Sequence, residues 1–182
     1  MSIVIPVDSN LYRQFDDWIR SKRILFVAGL PAVGKSLYLQ QLAVMAREVD
    51  RPVHLLQWDV VRAAFERDGW LDHYPELEGV THPVIRKATG IWARQAIADW
   101  DASVPSSHLL IAELPLIGNR LMELVQRQDD DAERLLSGHD THALIPVPTL
   151  AVRAHLEQRR VETIRAPTVS YTHLTLPTTP YV

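Results

Sequence analysis

The stretch RILFVAGLPAVGKSLYLQQLA, residues 23–43, decides how the chain is read. Ile24 to Ala28 is a short apolar run ending at Gly29, which predicts a buried strand. A helix is expected from about Lys35 to Val49. Between them lies the octet Gly29-Leu30-Pro31-Ala32-Val33-Gly34-Lys35-Ser36. Gly29 and Gly34 let the backbone curl with its N–H groups facing inward, a concave nest for phosphate oxygens. The positive end of the following helix adds to that field.

The octet is Gly-x-x-x-x-Gly-Lys-Ser, the Walker A pattern, in the strand-then-helix context that the pattern requires. Gly29, Leu30, Pro31, Ala32, Val33, Gly34, Lys35, Ser36 and Leu37 are therefore expected to surround a nucleotide's phosphates. Lys35 supplies a point charge for the β- and γ-phosphates, and the Ser36 hydroxyl is expected to ligate Mg²⁺. ATP, or another nucleoside triphosphate, is the expected cofactor together with Mg²⁺. The plain alternative is a glycine-rich turn that merely joins strand to helix.

Outward from the loop, strands alternate with helices. Leu11, Phe15, Trp18 and Ile19 predict an amphipathic helix over about 9–21, capped by Ser9 or Asn10. Pro52 to Gln57 reads as a second strand, followed by a short helix from Asp59 to Arg67. DGWLDHYPELEG (68–79) breaks the periodicity and reads as a loop. A long helix is expected from about His82 to Asp101, with Ile85, Ala88, Trp92 and Ala96 on one face and Trp92 in the core. Leu109 to Glu113 is a third strand, Gly118 to Arg127 and Asp131 to Leu136 are helical, Ala143 to Val147 is a fourth strand, and Thr149 to Ile164 is a charged helix. This order predicts an α/β three-layer sandwich with a parallel sheet and helices on both faces.

Asp59 closes the second strand in HLLQWDVVR, and the carboxyl ends of parallel strands face the ligand crevice. Arg62 lies one helical turn on. Asp-x-x-Arg after strand two, together with the phosphate loop, resembles the small P-loop kinases. That nucleoside-monophosphate-kinase-like group includes adenylylsulfate and gluconate kinases, polynucleotide 5′-kinases, antibiotic phosphotransferases and zeta-type toxins. The resemblance covers roughly residues 22–165 and implies P-loop kinase-like topology. It implies that Asp59 takes the acceptor hydroxyl's proton and that Arg62 holds the acceptor. Asp59 as a helix cap with Arg62 solvated is the competing reading.

HLLIAELP has the form of a Walker B segment, with Glu113 where aspartate is commoner. An acid there orients Mg²⁺ through water or polarises a hydroxyl, and the division of metal and base roles between Asp59 and Glu113 stays open. A structural hydrogen bond is the bland reading of Glu113. Arg159 and Arg160, in EQRRVETIR, occupy the position of a basic lid that closes over ATP in small kinases. The interleaved Glu157 and Glu162 equally suit a solvated surface helix. Arg120 is a further candidate for acceptor contact, or an ordinary surface arginine at a helix start. His139, Asp140 and His142 in GHDTH read as a polar turn more readily than as a metal site.

The formal charge of −3 provides no global basic field for nucleic acid or anionic membrane, and the lack of cysteine excludes disulfides and thiolate metal sites. No signal peptide is read at MSIVIPVDSN, so a cytoplasmic location is expected. Residues 1–168 are expected to form one domain. The tail VSYTHLTLPTTPYV differs in composition, and SYTHLTLPT resembles the adaptor-derived end that recurs on translated metagenomic fragments. Residues 169–182 are accordingly expected to be foreign, with a last strand missing beyond about Thr168.

The leading expectation is an ATP-dependent phosphotransferase acting on a hydroxyl of a small-molecule or nucleotide-like acceptor. The alternatives are a regulatory or motor-type ATPase that switches a partner, and a zeta-toxin-like sugar-nucleotide kinase with a protein antitoxin.

Overall fold

The computed structural model describes residues 2–30, 32–66, 69–77, 80–115 and 120–165, apart from the side chains of 115 and 159–165. It falls into two parts, Met1–Val147 and Pro148–Val182. In the first part the elements run α1 (Asn10–Ser21), β1 (Ile24–Gly29), α2 (Lys35–Glu48), β2 (Val53–Leu56), α3 (Trp58–Phe65), α4 (Trp70–His73), α5 (Pro83–Ser103), β3 (Leu109–Pro115), a 3₁₀ turn (Met122–Val125), α6 (Asp131–Leu136) and β4 (Thr141–Leu144). The second part holds α7 (Leu150–Arg165), where Arg153 pairs with Glu157 one turn on. The expected tail, 169–182, lies outside the described residues. Among the described residues, no helix is long and apolar enough to cross a membrane.

The four strands form an all-parallel sheet in the order β2-β3-β1-β4. Every residue of β1 is buried, as expected for a central strand covered on both faces. Side chains alternate across it. Leu25 and Val27, with Leu109 and Ile111 of β3, pack against Phe15 and Ile19 of α1 and against Leu39, Leu42 and Met45 of α2. Ile24, Phe26 and Ala28, with Leu110, Ala112 and Leu114, pack against Trp58 and Val61 of α3, Ala93 and Ile97 of α5, and Leu121 and Leu124. The result is the expected α/β sandwich. Ser9 caps α1, its hydroxyl accepting from Tyr12 N–H at 3.1 Å.

Several local expectations are corrected. α5 buries Ile85, Thr89, Gly90, Ala93, Arg94 and Ile97 instead of the Ala88–Trp92–Ala96 face, and Trp92 is 46% exposed. Small residues at 89, 90 and 93 let the helix backbone approach its neighbours, while Trp92 rests edge-on against Phe65 with centroids 6.1 Å apart. β4 begins two residues before the expected Ala143, because its register with β1 starts at Ile24↔Thr141. The loop at 68–79 contains the single turn α4, and the region 118–127 holds only the 3₁₀ turn among its described residues.

Arginines fasten the amino ends of the strands. Arg23 bonds Asp101 at 2.9 Å, donates to the carbonyls of Val104, Pro105 and His108, and lies over the Trp100 ring at 4.0 Å. Arg51 donates to the carbonyls of Ile19, Ser107 and His108. Beside them, His54 Nε2 and His108 Nδ1 are 3.0 Å apart, so one ring nitrogen donates and the other accepts. Burial, then His108, then Arg23 hold His54 below its ordinary value of 6.5.

A histidine held down in the folded state binds fewer protons there than in the unfolded chain, so folding stability drops as pH falls through about 6.5 and levels off below the folded value. Urea midpoints measured at pH 7.5 and 5.5 are expected to show a smaller acid loss for His54→Asn than for the parent chain. Equal losses in both would refute this account of the pair.

Candidate functional site

The loop from Gly29 to Ser36 turns on three residues with positive φ: Gly29 at +156°, Ala32 at +64° and Gly34 at +90°. A Cβ at Gly29 would come within 3.1 Å of Val33 Cγ2, a tight contact that adds to the conformational preference for glycine there. At Gly34 an added Cβ meets only Tyr38 Cε2 at 3.8 Å, so the constraint there is backbone conformation alone. α2 starts directly after it, with Tyr38 N–H bonding the Gly34 carbonyl at 3.1 Å. Among the described residues, the amides from Ala32 to Leu37 find no protein acceptor. They lie in the loop and in the first helical turn, where such donors are free to meet an anion.

Lys35 is buried, only 8% exposed. Its ammonium donates to the Leu30 carbonyl at 2.8 Å and lies 3.7 Å from Glu113 Oε1. The sheet explains that meeting. Glu113 pairs in register with Val27 and follows Leu109 and Ile111 on the sheet face covered by α1 and α2. It therefore emerges beside the helix that begins with Lys35. Ser36, Leu30 and Leu37 are exposed at the same turn, and Pro31 lies outside the described residues.

Asp59 does not close a strand. β2 ends at Leu56, and Asp59 is the second residue of α3, exposed and with no hydrogen bond or ion pair to Lys35 or Glu113. β3 separates β2 from β1, so α3, which follows β2, comes off a strand that is not the neighbour of β1. Arg62 is held by Glu66 and, at 2.7 Å, by Glu76, and the bond to Glu66 raises its pKa further. Arg120 is brought over the buried Trp58 ring, 5.4 Å from its centroid, one residue from Asp59. Sequence reasoning passed over Trp58, which anchors both neighbours. Its apolar character next to Asp59 was the available signal.

Arg159 and Arg160 fall on the backbone of α7, and their side chains lie outside the described residues. The GHDTH segment serves the fold: the Asp140 carbonyl accepts from the amides of Arg23 and Ile24, and the His142 ring packs 4.3 Å from that of Trp18. Among the described residues, no three or more metal-binding side chains converge.

No protein-family model matches the sequence, and no curated protein matches it significantly. Among solved structures, a possible uridine kinase from Bacillus stearothermophilus is similar at a TM-score of 0.40, with 12% identity over 84% of this chain and 93% of that one. A likeness that slight says nothing of function.

The loop itself is testable. Gly34→Ala forces a side-chain-bearing residue into left-handed backbone without a steric clash, at a cost of about 1–2 kcal/mol. A drop of roughly 2–8 °C in Tm is expected; an unchanged Tm would show that the loop takes another conformation.

Proposed function

We propose that this protein is a phosphotransferase that moves the γ-phosphoryl group of ATP to a hydroxyl of a small-molecule acceptor. The observation that carries the reading is the buried Lys35–Glu113 pair beneath a loop whose amides are unspent. Donors without protein partners and a helix start suit a polyphosphate, and the positive φ at Gly29 and Gly34 lets the backbone curl around it.

Lys35 holds positive charge at the mouth of the loop, where phosphoryl transfer spreads negative charge over the equatorial oxygens. Ser36 and Glu113 are the groups that would hold Mg²⁺, the glutamate through water; the ion, when bound, neutralises charge on the β- and γ-phosphates. Asp59 is the candidate to take the acceptor's proton, since its carboxylate is exposed and, among the described residues, no donor is hydrogen-bonded to it. Arg120 is the freer acceptor ligand, because Arg62 already binds two glutamates.

The test is label transfer from γ-labelled ATP to pools of hydroxyl compounds. Transfer that requires an acceptor supports the reading, while release of free phosphate alone would make the protein a hydrolase. Lys35→Ala is expected to abolish nucleotide binding or turnover. Asp59→Asn is expected to leave ATP affinity intact while turnover drops about 100-fold or more; unchanged turnover removes Asp59 from the base role.

A further inference from the structure

The first turns of α5 and the 3₁₀ turn Met122–Val125 enclose a cavity of about 340 Å³, lined by Pro83, Arg86, Lys87, Met122, Glu123 and Gln126. Its size is within the range that takes a small ligand. It lies at the same end of the sheet as the phosphate loop. Asp101 and Val104, at the far end of α5, bind Arg23 at the start of β1. The 21-residue helix extends about 30 Å from there, longer than β1, so its first turns reach the strands' carboxyl ends.

Glu123 is the unusual group in this cavity. It is only 5% exposed, yet its Oε2 has no donor among the described residues. Oε1 pairs with Lys87 Nζ at 3.1 Å, and the carboxylate sits in a notch that Gly90 provides, where a Cβ would come within 1.7 Å of Oε2. An unpaired buried carboxylate oxygen is costly, and a fold does not need one here. The terminal torsion of glutamate is broad, so a small turn of the carboxylate presents Oε2 to the cavity.

We propose that this cavity binds the acceptor and that the acceptor is a polyol, such as a sugar or a sugar-like ring. The inference rests on the phosphotransfer reading. A hydroxyl is the group that satisfies both sides at once: it donates to Glu123 and accepts from the Lys87 ammonium, which is 57% exposed, carries three N–H groups and pairs with Glu123 by charge. Neighbouring hydroxyls on one ring match the carboxylate and ammonium together. Pro83 and Met122 supply apolar wall for the ring's C–H face.

The experiment is calorimetric titration of the full-length protein, without nucleotide, with D-ribose, D-glucose, myo-inositol and glycerol, and with inorganic phosphate as the anion arm. At least one polyol is expected to bind saturably. Lys87→Ala and Gln126→Trp are each expected to weaken that binding 10-fold or more while ATP affinity is unchanged. Gln126→Trp fills the cavity and leaves the Lys87–Glu123 pair intact, so it reports even if Lys87→Ala unfolds the chain. The proposal is overturned if no polyol binds, if binding survives undiminished in Gln126→Trp, or if only phosphate binds in a Lys87-dependent way. Polyol binding of the expected kind without label transfer from ATP would sink the phosphotransfer reading and leave the site standing. Transfer to an acceptor that is indifferent to both variants would sink the site alone.

Discussion

Lys35 sets the geometry of this molecule's candidate site. Its ammonium reaches back five residues to the Leu30 carbonyl and across to Glu113. For that to happen the chain must double back within the intervening loop, which is why Gly29, Ala32 and Gly34 all take positive φ. Two unit charges at that separation attract by roughly 4–5 kcal/mol at an effective dielectric near 20. Withdrawing both from water costs several kcal/mol each, so the pair does little net for stability.

The two ends of the sheet use polar groups in opposite ways. At the amino ends, Arg23 and Arg51 spend their guanidinium groups on backbone carbonyls that loops would otherwise leave unpaired. A cavity of about 980 Å³ opens there, lined by these same arginines together with Arg20, Asp101 and Asp140. It is larger than the cavity beside Glu123, but its central cations are already committed, so volume alone makes no site of it. Arg94 does similar work beneath α6, binding the carbonyls of Glu123 and Gln126 and the carboxylates of Asp130 and Glu133. It thereby holds the 3₁₀ turn that carries Glu123. At the carboxyl ends, among the described residues, loop amides and one carboxylate oxygen find no protein partner.

The fold was legible wherever a local pattern decides it. β1 and the loop followed from an apolar run stopped by glycine, and α6 was bounded correctly because Asp130 caps it through Glu133 N–H. Glu113 could be picked out as a strand-end acid, but that it meets Lys35 depends on the register of β1 with β3, which no local pattern contains. The buried face of α5 was misread for a related reason. Periodicity permits either the face of Ala88 and Trp92 or that of Thr89 and Ala93, and contact with the sheet selects the smaller side chains. Lys87 and Glu123, far apart in sequence, carry no signal of their pairing at all.

Charge counting separates the two halves of the proposed reaction. Beside α3 and the cavity on α5, the described charges compensate one another in pairs, Arg62 with Glu66 and Glu76, and Lys87 with Glu123. A region that balances in this way exerts no net pull on an anionic acceptor, and it gains nothing from electrostatic steering. On the proposed reading it would recognise a ligand by matching donors to acceptors one by one, which is the way a neutral polyol is read. The proposed phosphate loop would work differently, its attraction coming from amides in the loop and first helical turn and from one buried ammonium.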